Sequence, residues 1–367
     1  MYETYGDIRI LKKCYDMMKK WVEYQNSTDR RNYGVRTVDG KEVPEQSDLA
    51  TIPYIQVQQC RGDHLTYDNS TPYIYSATAY AAHSADILRR TAYILGKTDD
   101  EKRYTELFEN IKRAFNDAWV NDDGSVSYYG EVSSQTAHCG ESVALDGSVT
   151  RYTYYAENTP HCPSQTAYAL AVDFDLIPQD KLKNTREYFK NSILRNNGKL
   201  TVGFLGISHL APALSKVGLD DVAFKLLEQE DNPSWLYSVK NGATTIWERW
   251  NSYIAETGTF GDVSMNSFNH YSYGAIGQWF FTDILGIRPV EFGYKSFMLA
   301  PKFGGGLTYA KGSFTSPYGK ISSAWKLHDG KFTYDCTVPT NTTATLKLPN
   351  GDIHTLVGGS YLFEFNV

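Results

Sequence analysis

Residues able to do chemistry are densest in two runs of this chain. Ala243-Thr244-Thr245-Ile246-Trp247-Glu248-Arg249-Trp250 is followed about twenty residues later by Met265-Asn266-Ser267-Phe268-Asn269-His270-Tyr271. Glu248 stands in sequence between two tryptophans. A carboxyl against aromatic walls loses hydration, which raises its proton affinity and suits it to acid or base work on a sugar. The competing reading pairs Glu248 with its neighbour Arg249, an arrangement common on any surface. His270 likewise reads either as a ligand for a polar substrate or as a hydrogen-bonded core histidine. Trp247, Trp250 and Asn269 complete the candidate binding set. A second run, Arg61-Gly62-Asp63-His64, presents Asp63 and His64 beside a glycine at a loop-to-helix junction, although turn chemistry accounts for it equally well.

The elements that must position these residues are mostly helices. Ile8, Leu11, Tyr15, Met18 and Val22 step by three and four, and Asp7 reads as the N-cap of that helix. Thr78, Ala81, Ala85, Leu88, Ala92 and Leu95 form a second stripe closed by Gly96. Thr98 with Glu101 is a capping-box pattern ahead of Tyr104, Phe108, Ile111 and Phe115. Helical stripes recur around Ala167–Phe174, after Pro178, at Ile207–Val217 and at Leu219–Leu226, and a last long helix is expected from about Phe268 to Ile284. Antiparallel helices joined by short connections imply a bundle, a solenoid or a toroid of hairpins, and periodicity alone does not choose among them.

After Pro289 the period changes to two: Ile321, Ser323, Trp325 and Leu327, then Phe332, Tyr334, Cys336 and Val338, then Tyr361, Phe363, Phe365 and Val367. Asp329-Gly330 and Asn350-Gly351 supply hairpin turns between such runs. A small antiparallel β-sandwich is expected from about residue 290. Residues 25 to 60 and 121 to 163 read as long loops, either a lid over a site or insertions.

Composition narrows the function. With 36 Lys+Arg against 42 Asp+Glu the chain is mildly acidic, which disfavours a nucleic-acid partner. No apolar run approaches the roughly 18 residues of a membrane span, so no membrane partner is expected. The start MYETYGDIRI carries no export signal. That leaves cytoplasmic placement as the default, or a periplasmic or secreted one if the chain is part of a longer protein. Aromatics reach 14%, and many of the 28 Tyr and 7 Trp stand beside His, Asn and Glu, as in a site that stacks on a polar ligand. The five cysteines are scattered without CxxC spacing and read as mostly free thiols. His138-Cys139 and His161-Cys162 offer a weak metal pattern, which unrelated loop residues or a disulfide explain better.

Several segments together resemble a known family: YETYGDIRILKKCYDMMKKWVEY, the Gly62-Asp63 loop ahead of an Ala-rich helix, QTAYALA, PSWLYSVKNGATTIWERW, MNSFNHYSYGAIGQW and SPYGKISSAW. They are similar to the catalytic (α/α)6 toroid and C-terminal β-sandwich of bacterial α-L-rhamnosidases, glycoside hydrolase family 78. The resemblance spans nearly the whole chain. It implies a mainly α fold, a partial toroid of helical hairpins at 1–288 and a β-sandwich at 289–367. It also implies inverting hydrolysis of terminal α-L-rhamnosides, with Glu248 as general base and His270 hydrogen-bonded to the sugar. Neither cofactor nor metal is implied.

Two departures qualify this. Where the family's Gly-Asp is usually followed by a Trp lining the sugar subsite, this chain has His64. The family's general acid lies in an Asp, Arg and Glu-rich block ahead of the first helix read here, and this sequence has no such block. Inversion needs an acid and a base roughly 6.5 to 9.5 Å apart across the sugar. The acid would come from Asp7, Asp63 or Glu131, from another chain, or be lacking. The expected partners are therefore a rhamnose-containing glycoside or oligosaccharide, with a complementary N-terminal fragment or a second copy closing the open toroid. The rival readings are a truncated or vestigial, non-catalytic carbohydrate-binding protein, and another α/α-toroid uronate hydrolase or lyase.

Overall fold

The computed structural model describes residues 1–27, 53–56, 62–67, 71–127 and 163–367 in full, and residues 35–38, 41–44, 138–143 and 149–154 as backbone strands. Compactness divides the chain differently from sequence order. Tyr15–Gly274 form one unit, and Met1–Cys14 group with Ala275–Val367 in the other.

The first unit is helical. Helix α1 (Tyr2–Tyr5) belongs to the second unit, and α2 (Ile8–Gln25) begins there and continues into the first. Asp7 accepts the Arg9 amide at 3.0 Å, as a cap should. Strands β1 (Val35–Val38) and β2 (Lys41–Pro44) form a hairpin within the stretch expected to be loop. Helices α3 (Tyr73–Ile94) and α4 (Thr98–Trp119) then form a hairpin whose inner faces match the sequence periodicity. Ala79, Ala81, Ala82, Ala85 and Ala92 of α3 are fully buried. Tyr75, Phe115 and Trp119 fill the gap, with ring centroids 4.8 to 5.2 Å apart. Gly96 takes the left-handed conformation (φ +67°) that ends α3. The capping box expected at Thr98 is not formed, because the N-cap is Lys97 and Thr98 already lies in the first turn. Asp99, Asp100 and Glu101 supply negative charge there instead. Asp100 is further held by Tyr15 Oη at 2.6 Å and Lys19 Nζ at 2.9 Å.

Strands β3 (His138–Val143) and β4 (Val149–Tyr154) form an antiparallel hairpin inside the second long stretch. The side chains of His138 and Cys139, and residues Arg61, Glu131, His161 and Cys162, lie outside the described residues. Helices α5 (Gln165–Asp173), α6 (Leu182–Leu194), α7 (Phe204–Lys216), α8 (Asp220–Leu227) and α9 (Trp235–Lys240) follow. Ser164 caps α5 and Ser234 caps α9, each by accepting the backbone amide three residues on, at 3.0 Å. A two-residue ladder, β5 (Tyr253–Ile254) with β6 (Thr259–Phe260), closes this part.

The helix expected from Phe268 begins later. A 3₁₀ turn at Ser272–Ala275, the α-helical turn α10 (Ile276–Trp279) and a π-turn at Phe280–Ile284 make up the helical stretch. Residues 267–270 are withheld from it because their backbone pairs with 246–248, as the site below shows.

The second unit carries two four-stranded sheets. One has the order β14 (Gly359–Asn366), β11 (Lys331–Val338), β10 (Gly319–His328), β9 (Tyr309–Ser316). The other runs β13 (Ile353–Leu356), β12 (Thr343–Lys347), β8 (Ser296–Leu299), β7 (Ile287–Pro289). The alternation read from sequence is the burial pattern observed: Ile321, Ser323, Trp325, Phe332, Tyr334, Cys336 and Val338 face the core. Asp329-Gly330 turns β10 into β11 with both residues at positive φ. The sheets are not wholly antiparallel, since β8 and β12 pair in parallel. Trp325 and Ser323 donate to the carbonyls of Ile284 and Leu285, at 2.9 and 2.7 Å, tying the end of the π-turn to this core. Asp283 is buried in that turn and paired with Arg288 and, at 3.2 Å, with Lys302.

Candidate functional site

The helical unit brings three segments together. Residues 246–248 and 267–270 lie side by side as a short ladder: the Glu248 amide donates to Ser267 O and the His270 amide to Ile246 O, both at 2.8 Å. Thr245 Oγ1 bonds the Phe268 carbonyl across the same ladder. Glu248 Oε2 accepts the Ser267 amide at 2.7 Å, so one oxygen of a part-exposed carboxylate is fixed by backbone. The alternative pairing with Arg249 is not made. The Arg249 guanidinium turns to Asp262, 3.6 Å away.

His270 is part-exposed, and its Nδ1 accepts the Ser272 amide at 3.3 Å. In a neutral imidazole that assignment leaves the proton on Nε2, a donor with no partner among the described residues. Its ring stacks on Phe204 (centroids 4.9 Å, planes 20° apart), and Phe204 meets His64 edge-on at 5.5 Å. His64, Phe204 and His270 thus form one aromatic group, with Tyr273 closing it from beside Phe204 at 5.6 Å. Asn269 is exposed, and its own amide donates to Ser267 Oγ at 3.1 Å.

Three residues expected to meet substrate do other work. Trp250 is 2% exposed, donates its indole N–H to Val202 O at 2.9 Å and stacks on Tyr273 at 3.8 Å, so it is core. Trp247 is 7% exposed and packs edge-on to Phe268 at 5.1 Å. The indoles that flank Glu248 in sequence therefore brace the ladder and offer little face for stacking. Asp63 is the third correction. Its carboxylate is 4% exposed and accepts four hydrogen bonds: Gly203 N at 2.8 Å, Leu205 N at 2.8 Å, Gly206 N at 3.0 Å and Thr166 Oγ1. Helix α7 has no side-chain cap from its own N-cap residue, Gly203, and Asp63 fills that role from 140 residues away in sequence. Burial pushes the Asp63 carboxyl pKa up, while the four donors act against the rise.

Of the acids that might have supplied a second carboxyl, Asp63 is consumed in this way. Asp7 is bound to Arg9 at 2.7 Å, which holds its pKa down to about 2. Phe204, Ser267 and Tyr273 carry much of the geometry and were not singled out from sequence. The signal for Phe204 was its setting between Gly203 and Gly206. A Cβ on Gly203 would lie 2.2 Å from the His64 carbonyl oxygen, and one on Gly206 would lie 2.2 Å from Thr166 Oγ1. Such close approach marks a place where two segments are locked together.

The helical unit followed by a C-terminal β domain fits the architecture of a six-hairpin glycosidase. The model of the bacterial α-L-rhamnosidase six-hairpin glycosidase domain matches residues 1–284, and that of the bacterial α-L-rhamnosidase C-terminal domain matches residues 286–362. The chain belongs to the bacterial α-L-rhamnosidase family. An α-L-rhamnosidase of Formosa agariphila is 33% identical over 97% of this chain and 33% of its own length. One from Streptomyces avermitilis is 34% identical over 95% of this chain and 28% of its own. The crystal structure of S. avermitilis α-L-rhamnosidase complexed with L-rhamnose superposes with a TM-score of 0.79 at 31% identity, covering 100% of this chain and 32% of that one. The native α-L-rhamnosidase of Aspergillus terreus gives 0.76 at 28% identity, covering 99% and 37%. The chain spans about a third of the length of the relatives it matches.

Proposed function

We propose that this chain is the catalytic segment of an inverting α-L-rhamnosidase acting on terminal α-linked rhamnose, with Glu248 as general base and His270 donating a hydrogen bond to the sugar from Nε2. Residues 1–288 serve as the catalytic-type domain and 289–367 as its β-sandwich companion. The carrying observation is the Glu248–Ser267 contact. A base must hold its lone pair in a fixed direction while keeping an oxygen free for water, and a carboxylate tethered by one oxygen to a backbone amide does both. The His270 backbone is held by the Ile246 carbonyl, two residues before Glu248, on the same ladder. Asn269 and His64 are the remaining polar groups we assign to substrate.

The test is Glu248→Gln. Loss of a positioned base lowers hydrolysis of an aryl α-L-rhamnoside by about 10²–10⁴-fold, while L-rhamnose binding measured by calorimetry is retained. Equal loss of turnover and binding would give Glu248 a structural role. Binding by the wild type with no turnover at any pH would move the chain to the non-catalytic sugar-binding reading.

A further inference from the structure

The hydrogen bonds of Asp63 do more than cap a helix. They fix the first turn of α7, and that turn carries Phe204, whose ring lies between His64 and His270. The connection is reinforced from both sides. The Phe204 amide donates to the His64 carbonyl at 2.9 Å. Thr66 Oγ1 and the Tyr67 amide both bond the Thr201 carbonyl, at 2.7 and 2.8 Å. The Gln165 side chain bridges Lys199 O and Thr201 N, at 2.8 and 3.0 Å, and so anchors the start of α5 to the segment that leads into α7. Tyr273 Oη reaches the Leu65 carbonyl at 3.4 Å, which ties the residue three positions after His270 to the same loop.

We infer that Asp63 is a positioning residue of this site: by holding the first turn of α7 it sets the Phe204 ring, and through that ring the planes of His64 and His270. The inference rests on the proposed sugar-binding role of His270, but the geometry it predicts is independent of turnover. Without Asp63, the amides of Gly203, Leu205 and Gly206 must seek water or each other. The α7 turn then loosens, and the His270 ring loses the flat surface that keeps its Nδ1 on the Ser272 amide. The donor at Nε2 is no longer held in one direction.

The experiment compares Asp63→Asn, Phe204→Leu and Glu248→Gln with the wild-type chain. The first readout is the long-range ¹⁵N–¹H NMR spectrum of the histidine side chains, with the His270 signals assigned by their absence in His270→Gln. The second is the dissociation constant for L-rhamnose. In the wild type His270 gives the pattern of a single Nε2–H tautomer. Asp63→Asn and Phe204→Leu should both turn this into a tautomer mixture and weaken rhamnose binding by about tenfold, the order expected when a binding group is misplaced by a fraction of an ångström to an ångström. Phe204→Leu leaves the cap intact, so it decides the matter even where Asp63→Asn fails to fold. Unchanged His270 signals and rhamnose affinity in Phe204→Leu would overturn the inference, as would a fall in melting temperature in Asp63→Asn with the histidine spectrum unaltered. If His270→Gln itself leaves rhamnose affinity unchanged, the sugar-binding reading fails. The tautomer measurement then still tests the positioning role.

Discussion

The loop at 62–67 and the ladder at 246–270 each present a carboxylate, and the molecule treats the two in opposite ways. Asp63 is buried and accepts four hydrogen bonds, three of them from the start of a helix. Glu248 is part-exposed, with a single backbone donor on one oxygen. A saturated carboxylate has no lone pair left in a useful direction and can only hold structure. A singly tethered one is oriented and still able to accept a proton. The number of partners and the exposure therefore separate architecture from chemistry, and the identity of the sequence neighbours does not. The tryptophans flanking Glu248 illustrate this: they drew attention to that carboxylate, yet both are core side chains.

The most direct way to break this comparison is stability. Asp63→Ala leaves three amides at the α7 N-terminus, two of them buried, without an acceptor and should cost about 2–4 kcal/mol, which lowers the melting temperature of a unit this size by roughly 5–15 °C. Glu248→Ala exposes one amide at a wetted ladder and should stay within about 0.5 kcal/mol of wild type. Similar melting temperatures for the two variants in differential scanning calorimetry would erase the distinction. A smaller effect probes how tightly the 62–67 loop is seated. In Gly203→Ala the added Cβ would meet the His64 carbonyl oxygen at 2.2 Å, and also the Asp63 carbonyl oxygen at 2.7 Å, both backbone atoms that cannot swing aside. A cost of about 1–3 kcal/mol follows from overpacking of this kind, together with weaker rhamnose binding as His64 moves. A Gly203→Ala protein with wild-type stability would mean that the loop is not locked onto α7.

How much of this was legible in the sequence depends on the range over which each feature is determined. The stripes of α3 and α4 and the alternation of β10 and β11 are set by neighbours three, four or two residues away, and they were readable along with Gly96 and Asp329-Gly330. Features set by distant backbone were not. Nothing near Asp63 shows that it caps a helix beginning at Phe204. Nothing near Phe268 shows that 267–270 are taken by 246–248 and so cannot open the helix that its periodicity suggested. The parallel pairing of β8 with β12 likewise depends on strand order, which alternation does not encode. Helices α1 and α9, of four and six residues, are too short for a periodic signal. Around Glu248 and His270, the residues the proposed function uses, residue types drew attention, whereas Phe204, whose ring touches both histidine rings, lay in a stretch with no polar chemistry to mark it.

The smallest expected effect comes from a carboxylate that is neither saturated by burial nor set for chemistry. Asp123 is at the surface, where Ser125 and Tyr188 donate to it at 2.6 and 2.7 Å and hold its pKa down to about 2. A pKa below the unfolded value of about 3.9 means that the folded chain favours the ionised form, so the contribution is complete above pH ~4 and is lost as pH falls toward 2. The melting-temperature advantage of wild type over Asp123→Asn should therefore be slight and constant from pH 7 to 5, shrink as pH falls through about 2 and vanish below it, with ionic strength held fixed. An advantage that grew on acidification would show that the Asp123 contacts stabilise the protonated side chain instead. Surface hydrogen bonds would then not be the third, weakest class of carboxylate environment that separates Asp123 from both Asp63 and Glu248.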